Sequence, residues 1–138
     1  MGRIRLNIEI EGKNRWTLFD SGARNSYITE AAASASVVVP LKEVRSFALG
    51  GKAHKINAAC LIQARVEGQP IEFQANVVDA IGEDEEGRNI DLIFGAIAMQ
   101  LWGIKLDVPN EKLDLTHLAH DFVEFTEFQT CSQTTTDQ

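Results

Sequence analysis

No apolar run in this 138-residue chain approaches the ~20 residues that a membrane-spanning helix requires. The first residues lack the apolar core and small-residue cleavage site of a secretory leader. Positive charge is also scarce: 13 Lys and Arg stand against 20 Asp and Glu, for a net charge of −7. Nucleic acid and anionic membrane surfaces both attract a basic face, so neither is expected as a partner. Cysteine is limited to Cys60 and Cys131, far apart and in different surroundings, and nothing suggests the oxidising compartment that a disulfide would need. Cys60 lies in an apolar run and reads as a small buried hydrophobe. Low-complexity blocks and internal repeats are absent. The expectation is one acidic, soluble, cytoplasmic domain with a modest core.

Most of the chain alternates with a period of two. Ile4, Leu6, Ile8 and Ile10 are separated by polar residues, the signature of a half-buried strand. A turn at Gly12-Lys13-Asn14 returns the chain through Trp16–Phe19, giving a hairpin. Thr29 is placed to cap an Ala-rich helical turn over Glu30–Ser36. Val37–Val39 form a β-branched run that stops at Pro40, and two further strands meet at a Gly50-Gly51 tip. Asn57–Val66 and Ile71–Val78 alternate again around Gly68-Gln69-Pro70. Glu83–Gly87 reads as a solvated acidic loop. Ile90–Phe94 is an apolar strand, and Ala96–Trp102 is a short helix stopped by Gly103. Ile104–Val108 and Lys112–Leu115 close a last hairpin through Pro109-Asn110. Beyond Thr116, Phe122, Phe125 and Phe128 fit a helix face, while Val123 and Phe125 fit a strand. The density of short strands predicts an all-β domain.

Chemistry concentrates in Leu18-Phe19-Asp20-Ser21-Gly22-Ala23. Two apolar residues lead directly into a carboxylate, whose protonation burial can tune. Ser21 supplies a hydroxyl able to hold a neighbouring loop, and Gly22 lets a second backbone approach. Asp-Ser-Gly is also ordinary turn chemistry. His117 and His120, with Asp121 adjacent, have the i, i+3 spacing of one helix face but lack the further ligand a metal site needs. His54, between Lys52 and Lys55, reads as a solvated hairpin residue. No metal or cofactor is expected.

Three elements follow in fixed order: Phe19-Asp20-Ser21-Gly22-Ala23 with Ser26 and Ile28, the Gly50-Gly51 hairpin, and Leu92-Ile93-Phe94-Gly95 before a short helix. That order resembles the retropepsins, the single-domain aspartic proteases of retroviruses and their cellular and bacterial relatives. The resemblance implies a closed β-barrel with a flap hairpin and one short C-terminal helix over residues 1–115. Residues 116–138 would be a partly ordered extension and a candidate dimer contact. Asp20 would be the catalytic acid, with Ser21, Gly22 and Ala23 supporting its loop. Leu49, Gly50 and Gly51 would form the flap over a peptide or protein substrate, and Ile93, Phe94 and Gly95 would pack behind the loop.

The residue count asks independently for a second chain. Hydrolysis by this route needs two carboxylates at one site, and Asp20 alone carries a hydroxyl-glycine continuation. The expected active unit is therefore a homodimer with two copies of Asp20 across a two-fold axis. Arg24 stands where viral members often carry an acid. Ala96 and Ile97 replace a basic or polar residue followed by Asp or Asn. These departures leave a second class of function in play, a non-catalytic dimerisation or peptide-binding module on the same fold.

Overall fold

The computed structural model describes residues 2–34, 36–49 and 51–118. Gly50 and the tail carrying His120, Asp121, Phe122, Phe125, Phe128 and Cys131 lie outside the described residues, and with them the readings made there. The described residues are all-β apart from one α-helix and one 3-10 turn. Its strands are β1 (Arg3–Ile10), β2 (Lys13–Asp20), β3 (Tyr27–Thr29), β4 (Val37–Leu49), β5 (Lys52–Val66), β6 (Gln69–Val78) and β7 (Leu92–Phe94). Helix α1 (Ala96–Trp102), β8 (Lys105–Asp107) and β9 (Lys112–Asp114) follow.

The first seven strands form one sheet in the order β1-β2-β7-β3-β6-β5-β4. A further antiparallel contact pairs Glu9 with Arg65 and Ile10 with Ala64, so that β1 touches β5 as well as β2. The period-two pattern determines what faces inward. Ile4, Ile8 and Ile10 from β1, Ile62, Ala64 and Val66 from β5, and Ile71, Phe73 and Ala75 from β6 are all buried. Strand β7 is buried at every residue, as expected for a short strand between β2, its parallel neighbour, and β3. Phe94 on β7 packs against Phe19 at 5.0 Å between ring centroids and edge-on against Phe73 at 4.7 Å. Cys60 is buried as expected, and burial pushes its thiol pKa up.

Several local readings change. The turns of the first and third hairpins sit one residue earlier than expected, at Glu11-Gly12 and Glu67-Gly68. Both residues of each are left-handed, with φ of 53° and 79° in the first and 49° and 83° in the second. This two-residue geometry matches the twist of the flanking strands, and it overrides the reluctance of Glu to adopt positive φ. Pro40 does not end a strand: β4 runs through it, because β4 is an edge strand and needs no N–H on its free side. Residues 30–34 form turns and not a helix, although Thr29 Oγ1 does accept from the Ala32 amide at 3.3 Å.

The acidic loop is exposed but organised by one carboxylate. Asp84 accepts hydrogen bonds from the Trp16 indole at 2.8 Å and from the Glu86 and Arg88 amides at 2.9 Å each. The Arg88 guanidinium lies 3.6 Å above the Trp16 ring, and Arg5 pairs with Glu85. Helix α1 ends as expected at Gly103, which is left-handed at φ 71°. No helix of the described residues is long and apolar enough to cross a membrane.

Candidate active site

Asp20 is the last residue of β2, delivered by the buried Phe19 that anchors the strand in the core. Its side chain is 14 % exposed. One carboxylate oxygen, Oδ1, accepts from the Gly22 amide at 2.8 Å, and the other lies 3.7 Å from Arg3 Nε. Arg3 reaches it because β1 and β2 place the two residues opposite each other. The Asp20 carbonyl accepts from the Ala23 amide at 3.1 Å, closing the turn. The residues after the acid thus fold back on it, with the Gly22 amide on the carboxylate and the Ala23 amide on the main-chain carbonyl.

Ser21 is bound from the amino-terminal side. Its amide donates to the Gly2 carbonyl at 3.0 Å, and its hydroxyl accepts from the Gly2 amide at 2.7 Å. The far side of the loop is held by the chain around Gly95. Ala96 and Ile97 donate their amides to the Ala23 carbonyl at 2.6 Å and the Arg24 carbonyl at 3.1 Å. The Gly95 amide donates to the buried Ser26 hydroxyl at 3.0 Å, and the Ser26 carbonyl accepts from Asn76 at 2.9 Å. The first amides of α1, which have no partner within the helix, are thereby satisfied by the loop that follows Asp20.

Gly95 is extended, at φ −94°, so backbone conformation does not demand a glycine there. Space does. A Cβ would lie 2.8 Å from the Ala23 carbonyl oxygen and 2.6 Å from the Asn25 carbonyl carbon, and closer still to the Asn25 oxygen. Only a residue without a side chain lets the two segments meet.

Asp20, Ser21, Gly22, Ala23 and Gly95 are therefore brought together, and Ile93 and Phe94 form the buried strand beside Phe19. Leu49 and Gly51 stand apart at the tip of the β4–β5 hairpin, where Leu49 pairs with Lys52. Arg3, Gly2 and Ser26 complete the loop's surroundings. Arg3 and Gly2 had no local signal, since each acts through a contact about twenty residues away in sequence. Ser26 belongs to the sequence motif, and the structure adds its role as acceptor from the Gly95 amide. Among the described residues, no cluster of three or more His, Cys, Asp and Glu side chains could hold a metal ion.

The backbone arrangement has close counterparts among solved structures. The retroviral protease-like domain of Ddi1 from Leishmania major superposes with a TM-score of 0.60 at 18 % identity, over 93 % of this chain and 99 % of that one. The fold is retropepsin-like. The protease of EIAV, solved in complex with the inhibitor HBY-793, aligns with a TM-score of 0.50 at 22 % identity over 75 % of this chain and 91 % of that one. The sequence itself matches no family model, and no curated protein matches it. The likeness therefore lies in the backbone fold.

Proposed function

We propose that this chain is an aspartic endopeptidase that works as a homodimer on extended peptide segments. The observation that carries the reading is the clamped, largely buried Asp20. Its carboxylate accepts from the Gly22 amide, and its loop is held by backbone hydrogen bonds from the start of α1, on a retropepsin-like frame. The β1–β5 contact would close the sheet into the barrel of one subunit. A second copy would supply the second carboxylate, because the chain has a single Asp-Ser-Gly. Ile97 and Val108, 48 % and 43 % exposed, offer apolar surface for that contact. Val108 also borders an open groove, about 500 Å³ in volume, beside Gly2 and Ser21.

In the paired site the two carboxylates share one proton, since two like charges in contact cannot both ionise. The ionised Asp20 takes a proton from a water that attacks the scissile carbonyl, and the protonated Asp20 of the other copy donates to the carbonyl oxygen. The tetrahedral intermediate then collapses as the peptide nitrogen is protonated and leaves. Ser21 would brace the two loops across the axis, and the β4–β5 hairpin with Leu49, Gly50 and Gly51 would lie over the substrate as a flap. An extended peptide there binds through strand-like backbone hydrogen bonds. The buried free thiol of Cys60 fits a reducing, cytoplasmic setting.

The second reading, a non-catalytic binding or dimerisation module, is favoured by the ion pair of Arg3 with Asp20. In that case Arg3 stays on the carboxylate and the loop serves only as structure. Comparison of the parent with Asp20→Asn on a mixed peptide library, alongside sedimentation across concentrations, separates the two. The protease reading expects cleavage by the parent, an inert variant, and a dimer in both. Cleavage by neither, or equally by both, would leave the binding module as the reading.

A further inference from the structure

Beyond the bulge between Pro40 and Arg45, the β4–β5 hairpin leaves the sheet. Residues 45–49 of β4 pair only with β5, and β5 pairs with β6 only from Ala59 onward. This distal half would be a free arm were it not for one face. Phe47, His54 and Ile56 turn inward, whereas Ser46, Ala53 and Lys55 are exposed. Phe47 stacks on Tyr27 of β3 with centroids 4.6 Å apart and planes 7° from parallel, and it also meets the imidazole of its strand partner His54 at 5.4 Å. His54 is not the solvated residue that its lysine neighbours suggest, because its side chain is only 10 % exposed. Its Nδ1 lies 3.0 Å from Asp79 Oδ1, just past the end of β6. The Ala80 amide holds the same oxygen at 2.9 Å.

We propose that Tyr27, Phe47, His54 and Asp79 form a clasp that holds the hairpin arm against the body beside the Asp20 loop, and that His54 and Asp79 are positioning residues for the bound peptide. The ionised carboxylate can only accept, so Nδ1 carries the proton that joins arm to body. The hydrogen bond from His54 is also the main cause that keeps the Asp79 carboxyl below the usual carboxylate range, with the Ala80 amide next. Tyr27 ties the clasp to the site in sequence and in space, since β3 follows directly from the loop that begins at Asp20. An extended peptide bound under the arm needs it lowered, and the clasp sets how much of the population is already closed. The inference rests on the protease reading only for its consequence in catalysis.

Hydrogen exchange on the full chain tests the clasp without any activity. His54→Leu and Asp79→Ala should each speed exchange of the amides of residues 45–56 about three- to fivefold, as loss of a partly exposed pair implies. The β1–β2 amides should be unchanged. The double variant should match the singles, since both remove the same bond, and His54→Gln, which keeps a donor, should recover part of the protection. If the parent cleaves peptide, the single variants should raise KM by the same factor with kcat unchanged. Exchange unchanged in both singles, acceleration spread over β1 and β2, or additive effects in the double variant would overturn the clasp. Accelerated exchange in the single variants of a parent without peptidase activity would leave the clasp standing and remove the protease reading alone.

Discussion

Replacing Gly95 with alanine places one methyl group between two backbone segments that cannot both stay where they are. The new carbon would lie 2.8 Å from the Ala23 carbonyl oxygen and 2.6 Å from the Asn25 carbonyl carbon. Those neighbours are main chain, so relief by a side-chain rotation is not open to them. The clash can be relieved only by separating α1 from the loop, at the expense of the Ala96–Ala23, Ile97–Arg24 and Gly95–Ser26 hydrogen bonds. Overpacking costs about 1–3 kcal/mol, and each lost hydrogen bond adds about 1 kcal/mol. With partial relaxation the sum is about 3–5 kcal/mol, a large share of the roughly 5–15 kcal/mol that holds a domain folded. Urea unfolding followed by the fluorescence of Trp16 and Trp102 measures it directly. The midpoint should fall steeply while the slope stays constant. Gly68→Ala is the matched control, with positive φ but nothing within 4 Å of the added carbon, and should cost about 1–2 kcal/mol. A Gly95→Ala loss below about 1 kcal/mol, or equal to the control, would refute the close-approach argument.

Ser26→Ala should cost about 1–3 kcal/mol, because it leaves the Gly95 amide without the acceptor it has at 3.0 Å in a buried site. The same unfolding assay reads it, and Ser26→Thr should lose less. Acidification should release the 83–89 loop in a window set by Asp84. Its carboxyl is held below the ordinary value by the Arg88 amide first and the Trp16 indole second. A depressed carboxyl contributes stability that is complete above its unfolded value and is lost as pH falls through the folded one. The Trp16 emission should therefore hold steady at pH 5–7 and change only below about pH 4. In Asp84→Asn the acid-induced step should vanish.

Much of the fold was legible because its causes are local. Alternation of Ile4, Leu6, Ile8 and Ile10 identifies a strand wherever that strand ends up, and Gly103 stops α1 through its own backbone freedom. The short helix and the acid-hydroxyl-glycine loop were recognisable for the same reason, since each depends on neighbours within a few residues. The misreadings fell where long-range context outweighs local preference. Glu11 and Glu67 accept positive φ because the hairpins around them impose it. Pro40 is accommodated by the free edge of β4.

By itself, the order of residues determined that this chain builds hairpins around an apolar-led Asp-Ser-Gly and that one chain carries one such acid. Periodicity and composition need no partner to be read. Only the folded structure decided that Gly95 must lack a side chain, that Arg3 sits beside Asp20, and that His54 turns inward onto Asp79. Those facts arise from segments 17 to 72 residues apart in the chain, between Arg3 and Asp20 at one extreme and Ala23 and Gly95 at the other. A pattern of neighbours carries no record of which distant backbone will come to lie against them.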